Sequence, residues 1–290
     1  LYTGSGPAAA AIQLVVPRGG STAELLEANG VVASALAFRL GTLLDGTASR
    51  IKAGEYLFAA GLSARGAGEL LASGQTVRRR FTIAEGLTVA QIVALLRGAE
   101  GMEGEISPLP PEGSLLPETY FYGWGDARMR TVERAQRAMR DTLAELWARR
   151  APDLPLADPE AALVLASIVE RETAIADERP RVAAVFVNRL RQRMRLQADP
   201  TVVYGIDPSG SLGRPISRAD LDARNPWNTY VIEGLPPTPI ANPGRASIEA
   251  VLNPAKTDEL YFVADGEGRH IFARTLAEHG RNVARLREIE

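Results

Sequence analysis

Short apolar stripes of helical spacing recur three times in the first hundred residues of the chain. In each stripe, apolar residues lie three and four positions apart, with Ser or Thr before them and a terminal glycine, in segments 19–30, 61–74 and 86–98. Ser and Thr favour the N-cap of a helix, and glycine favours the position after it. A β-like segment precedes each helix, at 12–17, 54–58 and 78–83. The pattern therefore predicts three small strand–helix units.

These units have two interpretations. Each is too short to fold singly, and a fold-level pattern does not specify a function. The residues alone therefore favour generic α+β packing units. The alternative is a carbohydrate-binding or spacer module.

The pattern changes after the third unit. Residues 99–115 are rich in Gly, Glu and Pro, which predicts a loop. An apolar stripe of period 3.6 then predicts a long helix from about Asp126 to Arg150. Three prolines in segment 151–161 end that helix, and Asp158 is placed to cap a second helix over 160–176.

A further helix follows Pro180, and Pro, Gly and Asn become frequent from Leu196 onward. The segments YFVAD (261–265) and HIFAR (270–274) flank a Gly-rich turn and predict two strands. The mixture of helices and short strands indicates the α+β class.

Two glutamates, Glu170 and Glu172, end the apolar run of the second helix. A helix advances by ~100° per residue, so the two side chains point about 200° apart and do not form one carboxylate pair. Glu172 continues the stripe of Leu165, Ile168 and Val169, whereas Glu170 follows a smaller and more polar stripe. Apolar walls raise the pKa of a carboxyl, as a general acid requires. The residues alone give more weight to the alternative of two solvated carboxylates paired with arginines.

Composition narrows the class of protein. A chain of 290 residues, 46% of them hydrophobic, is long enough for two domains, or one large one, with a real core. The net charge of −2, without a basic block, gives no case for a nucleic-acid partner. The absence of cysteine excludes disulfide bonds, thiolate metal sites and cysteine nucleophiles. The longest N-terminal apolar run, 8–16, is shorter than the ~20 residues that cross a bilayer.

The sequence predicts neither a metal site nor a cofactor. The two histidines, His270 and His279, lie in different predicted elements, which makes a poor ligand set. A structural or substrate hydrogen bond is expected for each. No Walker, GxGxxG or GxSxG motif is present.

A series of ordered motifs runs across about residues 115–280: LLPETYFY (115–122), LASIVERET (165–173), ERPRVAAVFVNRL (178–190), MRLQADPTVVYG (194–205), NTYVIEGLPPTPIANPG (228–244), SIEAVLNPA (247–255) and LYFVADGEGRHIFARTLAEH (260–279). Together these motifs resemble the endolytic murein transglycosylase family, the YceG-like proteins that cleave peptidoglycan glycan strands. The chain departs from the family at Thr238 and Gly280, where glycine and asparagine are common, and both departures concern loop geometry rather than the reaction.

The resemblance implies a domain organisation and a location. It implies an N-terminal LysM-like module of the small strand–helix units over residues 1–80, followed by a mixed α+β catalytic domain over residues 81–290. It also implies an N-terminal membrane anchor, absent from this chain, that holds both domains on the periplasmic face of the inner membrane. The expected partners are peptidoglycan glycan strands and, at the level of the family, peptidoglycan synthases.

The resemblance also implies a reaction. The segment ERET is similar to the glutamate-then-Ser/Thr motif that carries the catalytic acid of other lytic transglycosylases, so Glu172, followed by Thr173, takes the catalytic place and Glu170 is the fallback. One carboxyl would act as acid and then base, with formation of 1,6-anhydro-N-acetylmuramic acid ends and with no metal or cofactor. A hydrolytic muramidase with the same acid and a non-catalytic peptidoglycan-binding scaffold are the alternatives.

Polar residues in the matching motifs are the expected substrate-binding groups, although helix capping, turn formation or loop anchoring would also account for several of them. They are Glu118, Asn188, Arg189, Gln197, Asp199, Thr201, Tyr204, Asn228, Thr229 and Tyr230.

Overall fold

The computed structural model of the chain describes residues 2–289, which form eleven α-helices and three two-stranded sheets. The mixed α+β class is thereby confirmed. Leu1 and Glu290, the outer limits of the two predicted domains, lie outside the described residues. The chain divides into two compact units, which are described separately below.

Unit 1 contains the chain up to Phe81 together with Ala99–Glu105 and Phe121–Arg128. Two of its strands pair antiparallel, with Ile12 opposite Phe58 and Val16 opposite Gly54. The fully buried side chains of its core include Leu26, Phe38, Tyr56, Phe58 and Leu71. Its main elements follow in the order β1 (Ile12–Val16), α1 (Thr22–Ala28), α2 (Ala35–Leu44), β2 (Gly54–Phe58) and α3 (Ala64–Ser73).

The sequence predicted β1, α1, β2 and α3, but it did not predict α2. The predicted caps of α3 are confirmed, because Ser63 Oγ accepts a hydrogen bond from Gly66 N at 3.0 Å and Gly74 adopts φ +74°. In α2, Phe38 is buried, whereas leucines cover the solvent face of the helix. Because apolar residues lie on both the buried and the exposed side of α2, its sequence does not show the helical alternation of apolar and polar positions.

The third predicted strand–helix unit has a different setting from the first two. Its strand, β3 (Arg79–Thr82), pairs with β4 (Thr119–Tyr122) rather than with β1 or β2, and its helix, α4 (Val89–Gly98), belongs to unit 2. The three similar segments therefore share local capping and apolar spacing, but they do not build one common sheet.

Unit 2 contains the remainder of the chain, and its core lies where α6 packs against both α7 and α10. Leu165, Ile168, Phe186 and Val251 are among the fully buried side chains there. After α4, its elements are most of α5 (Arg128–Ala148), α6 (Pro159–Glu172), α7 (Arg179–Arg191), α8 (Asp199–Ile206), α9 (Arg218–Asp222), α10 (Arg245–Leu252), β5 (Tyr261–Ala264), β6 (His270–Ala273) and α11 (Leu276–Ile289).

The predicted long helix is confirmed as α5, and the two predicted C-terminal strands are confirmed as the antiparallel hairpin β5–β6. The predicted helix over 160–176 is shorter than expected, because Thr173 is extended, with φ −143°, and α6 ends at Glu172. Helices α8 to α11 were not predicted. The first three are only 5 to 8 residues long and lie among frequent Pro, Gly and Asn, whereas α11 contains no proline.

Among the described residues, none of the helices combines the length and the apolar character that a membrane crossing requires.

Candidate active site

Helix α6 carries Glu172 at its last position. Asp158 caps the start of the helix, as predicted, and its Oδ1 accepts a hydrogen bond from Ala161 N at 2.7 Å. Leu165, Ile168 and Val169 are fully buried in the core of unit 2. This apolar stripe fixes the rotation of α6 and leads Glu172 to the edge of the core, where the side chain is only partly exposed.

Glu172 borders a cavity of about 430 Å³ within unit 2. Four of the expected substrate-binding residues line the same cavity, although they come from separate parts of the chain. The lining consists of Glu172, Arg189, Gln197, Asp199 and Tyr230 with Phe186, Leu196, Phe262, Val263 and His279. The cavity therefore has a polar wall and a largely apolar wall, and Glu172 is the carboxyl of α6 that borders it.

The surroundings of Glu172 favour its protonated form. The pKa of this carboxyl is raised to about 8, chiefly by burial and also by the nearby Asp199 carboxylate, while Arg189 opposes the change. Because the ordinary pKa of a glutamate is about 4.3, Glu172 keeps its proton near neutral pH. A carboxyl of this kind can donate a proton to a bound molecule and can accept one after it has done so.

Asp199 and Tyr230 form a hydrogen-bonded pair on the polar wall. The Tyr230 hydroxyl donates to Asp199 Oδ1 at 2.6 Å. Leu196 and Ala198 are buried, whereas the intervening Gln197 and the following Asp199 are exposed. This alternation places both polar side chains on the cavity side of the chain at the start of α8. Gln197 adopts the left-handed region, with φ +52°, which non-glycine residues visit mainly where the surrounding structure holds them.

Thr229 and Thr201 hold this segment in place. Gln197 N donates to Thr229 O at 3.1 Å, and Ala198 N donates to Thr229 Oγ1 at 2.9 Å. The hydroxyl groups of Thr201 and Thr229 lie 2.8 Å apart, and both residues are fully buried. The two threonines, which the sequence placed among the substrate-binding candidates, lie behind the cavity wall and position Gln197 and Asp199.

Arg189 and its neighbour Asn188 leave α7 in different directions. Arg189 lines the cavity, and it donates to Leu260 O at 2.6 Å and to Leu196 O at 2.8 Å. Burial lowers the pKa of its guanidinium from the ordinary value. Asn188 is buried outside the cavity lining, where its amide donates to the carbonyl oxygens of Thr257 and Glu259 at 2.8 and 3.0 Å. Asn188 therefore ties α7 to the segment that leads into β5.

Three further candidates from the sequence lie outside the lining of this cavity. The Asn228 amide donates to three backbone carbonyls of segment 220–223, so it anchors a loop. The Tyr204 hydroxyl donates to Glu112 Oε2 at 3.4 Å. Glu118 is an exposed residue that precedes β4.

Glu170 points away from the cavity lining and into the protein. Its Oε2 accepts a hydrogen bond from Gly244 N at 2.8 Å, and its Oε1 lies 3.7 Å from Arg179 Nη2. Only 5% of the Glu170 side chain and 9% of the Arg179 side chain are exposed. Glu170 and Glu172 thus have different surroundings, and Glu170 fastens the loop before α10.

The apolar wall contains residues that were not assigned to the site from the sequence. Phe262 and Val263 come from β5, His279 comes from α11, and Phe186 comes from α7. Phe186 and Phe262 meet edge to face, with ring centroids 5.7 Å apart. The resemblance included these residues within matching motifs, but only the tertiary structure brings them to Glu172.

Among residues 2–289, no cluster of three or more His, Asp or Glu side chains has an arrangement that could hold a metal ion. His270 is hydrogen-bonded to a carboxylate, with Nδ1 2.8 Å from Glu178 Oε2.

Comparison with known proteins places this geometry in a family context. The model of the YceG-like family matches residues 14–285 of the chain. A protein of Bacillus subtilis (strain 168) named endolytic murein transglycosylase is 31% identical over an alignment of 304 residues, gaps included. The alignment covers 93% of this chain and 83% of that protein.

Two further similarities agree with this match. An endolytic murein transglycosylase of Streptococcus pneumoniae (serotype 2, strain D39) is 34% identical over 180 residues, which cover 60% of this chain but only 32% of that longer protein. The crystal structure of a YceG-like protein from Listeria monocytogenes is 27% identical, with a TM-score of 0.57 over 93% of this chain and 98% of the other.

Proposed function

This chain belongs to the YceG-like family, and on that premise we propose that it is an endolytic lytic transglycosylase of peptidoglycan. The bond cleaved is the β-1,4 bond between N-acetylmuramic acid and N-acetylglucosamine. The observation that carries the proposal is the carboxyl of Glu172, whose pKa is raised by burial, at the edge of a cavity of about 430 Å³. This volume lies within the usual range of small-molecule sites.

In the first step, Glu172 acts as general acid. Its carboxyl proton passes to the glycosidic oxygen as the bond from that oxygen to C1 of the muramic acid breaks. The leaving sugar departs as an alcohol, and positive charge develops at C1 and the ring oxygen. The acetamido group of the same sugar, with the Asp199 carboxylate and the protein dipoles of the polar wall, stabilises this charge.

In the second step, the Glu172 carboxylate acts as base. It accepts the proton of the C6 hydroxyl of the muramic acid while the C6 oxygen forms a bond to C1. The ring closes to a 1,6-anhydro end, Glu172 regains its proton, and no water is consumed. One carboxyl therefore serves both steps, and the apolar wall with Phe186 and Phe262 disfavours a competing water.

The contacts to substrate are proposed for the polar residues that line the cavity: Arg189, Gln197, Asp199 and Tyr230. A sugar needs hydrogen bonds and a ring surface, and these side chains supply carboxylate, amide and phenol groups beside aromatic carbon. For Thr201, Thr229, Asn188 and Asn228, the buried hydrogen bonds described above support a role in holding the site. No contact with the sugar at Glu172 is proposed for Glu118 or Tyr204, because neither lines the cavity.

Product analysis tests the proposed reaction against its alternatives. Purified glycan strands are digested with the wild-type protein, and the new ends are identified by mass spectrometry. Ends that are one water lighter than a reducing sugar are expected. Reducing ends alone would instead indicate a hydrolytic muramidase, and uncleaved strands that remain bound would indicate a non-catalytic scaffold.

The pH dependence of cleavage follows from the position of Glu172. Since its pKa is raised to about 8, the acid is protonated at neutral pH, and the rate is expected to fall as the pH rises through about 8. Asp199→Asn removes a negative charge whose presence raises this pKa. In the profile of cleavage rate against pH, the fall on the alkaline side (the alkaline limb) should therefore move to lower pH. The rate is measured from about pH 6 to about pH 10.

The position of the limb, rather than the height of the profile, is the readout, because Asp199→Asn also changes substrate contacts. Thermal unfolding at each pH serves as the control for loss of structure. An alkaline limb at the same pH in both proteins would mean that Asp199 does not act on the acid.

We further propose that residues 1–80 form a LysM-like module and that residues 81–290 form the catalytic domain. The support for the LysM-like module is the order of elements in unit 1. Two consecutive helices lie between two antiparallel strands along the chain, in the order β1, α1, α2 and β2. The support for the second is that all the residues lining the Glu172 cavity lie in unit 2.

The proposed substrate places the protein outside the cytoplasm, where peptidoglycan is assembled. An anchor in the inner membrane and a partnership with peptidoglycan synthases are expectations from the family. The four proposed substrate contacts use side chains of the protein alone, and the proposed reaction requires no cofactor.

A further inference from the structure

One residue of the cavity lining has a buried ring nitrogen with no hydrogen-bond partner in the protein. Among the described residues, four buried side-chain atoms lack such a partner: Glu24 Oε2, Arg179 Nε, Ser247 Oγ and His279 Nδ1. His279 is the one of these residues that lines the cavity of Glu172. A buried polar group without a partner is costly, so it commonly marks a position where a ligand or a water completes the hydrogen bond.

The imidazole of His279 has a fixed place in the wall. The ring stacks on Tyr261, with centroids 5.2 Å apart and an interplanar angle of 22°. The guanidinium of Arg189 lies 5.1 Å from the centre of the same tyrosine ring. Helix α11, which carries His279, packs on both β5 and β6. The histidine is therefore held by ring stacking and by its helix, while no described protein group fixes its tautomer.

The surroundings also keep this imidazole neutral. Burial lowers the pKa of His279, and the positive charge of Arg189 lowers it further. A neutral imidazole carries one N–H donor and one acceptor nitrogen, so it can exchange a hydrogen bond with a hydroxyl or an amide in either sense. Sugar hydroxyls and acetamido groups are ligands of that kind.

We propose that His279 is a substrate-binding residue that hydrogen-bonds a hydroxyl or acetamido group of the amino sugar held at Glu172. The proposal rests on the glycan-strand substrate of the proposed function. The residue contributes to binding rather than to proton transfer, which belongs to Glu172. It adds the C-terminal helix α11 to the parts of the chain that recognise the strand.

Binding of a peptide-free glycan strand of defined length to the protein with Glu172→Gln tests this role without turnover. In that background, His279→Phe keeps a ring for stacking on Tyr261 but removes both nitrogens, and we expect roughly tenfold weaker binding. His279→Asn and His279→Gln place an amide near the positions of Nδ1 and Nε2, respectively. One of the two is expected to recover part of the affinity. Arg285→Gln, at an exposed position of α11, is the matched control and should bind as the parent does.

The outcomes separate this inference from the proposed function. Unchanged affinity of the Phe variant, or an equal loss in the Phe, Asn and Gln variants, would show that His279 contributes packing only and would overturn the inference. No binding by the parent would overturn both the inference and the proposed substrate. Strand binding that depends on His279, together with wild-type products that lack anhydro ends, would overturn the reaction and leave the inference standing.

Discussion

Glu172→Gln is expected to lower the rate of strand cleavage by about 10³-fold or more while the protein stays folded. A positioned general acid contributes roughly 10²- to 10⁴-fold, and here the same carboxyl also serves as the base. Glutamine has the shape of the protonated acid but has no proton of suitable acidity to give. Because Glu172 is already neutral near pH 7, the change removes no buried charge. The free energy of unfolding should therefore stay within about 1 kcal/mol of the wild-type value.

The measurement is the release of anhydro ends over time, with thermal unfolding and glycan binding recorded on the same preparations. Glu160→Gln, in the exposed first turn of α6, is the matched control and should cleave at the wild-type rate. Cleavage that survives in the Glu172 variant but is lost in Glu170→Gln would transfer the catalytic role to Glu170.

Glu170→Ala is expected to act on stability, with a loss of about 3 kcal/mol in the free energy of unfolding. The change leaves Gly244 N without its acceptor and leaves the nearly buried guanidinium of Arg179 without a carboxylate beside it. Removing one partner of a buried ion pair costs about 3–5 kcal/mol. The 3.7 Å separation between Glu170 and Arg179 places this pair at the lower end of that range.

Denaturant unfolding measures the loss, with Glu170→Gln as the conservative variant. Its amide oxygen can still accept a hydrogen bond from Gly244 N. The Gln variant should therefore recover about half of the unfolding free energy that the Ala variant loses. The exposed Glu160→Ala is the control for removing a glutamate from α6, and its effect should stay below about 1 kcal/mol. A wild-type unfolding curve for Glu170→Ala, combined with lost cleavage, would contradict the structural role.

The parts of the site that follow from local periodicity could be predicted from the sequence. The apolar stripe of Leu165, Ile168 and Val169 fixes the rotation of α6, and the rotation separates Glu172 from Glu170. Alternation and turn residues likewise predicted β1, β2 and the hairpin β5–β6. These features depend on neighbours within a few positions, which a sequence displays directly.

The remaining parts depend on contacts between distant segments. The sequence does not show that Phe262, Val263 and His279 approach Glu172, because packing of β5 and α11 decides it. Nor does it show that the Thr229 hydroxyl is turned toward Ala198 N, behind the cavity wall. A polar residue in a family motif can hold the site or contact the substrate, and burial separates the two roles only in the folded chain.

The end of α6 has a consequence for the acid itself. Aligned peptide dipoles give the C-terminal end of a helix a partial negative charge, and Glu172 is the last residue of a helix of 14 residues. That charge disfavours the carboxylate and so supports the proton on Glu172 before the glycosidic bond breaks. After the proton has left, the same charge makes the carboxylate a stronger base toward the C6 hydroxyl. The helix that carries the residue therefore keeps the acid protonated until the substrate is bound and favours the second proton transfer, and moving the glutamate one turn toward the N-terminus would weaken both effects.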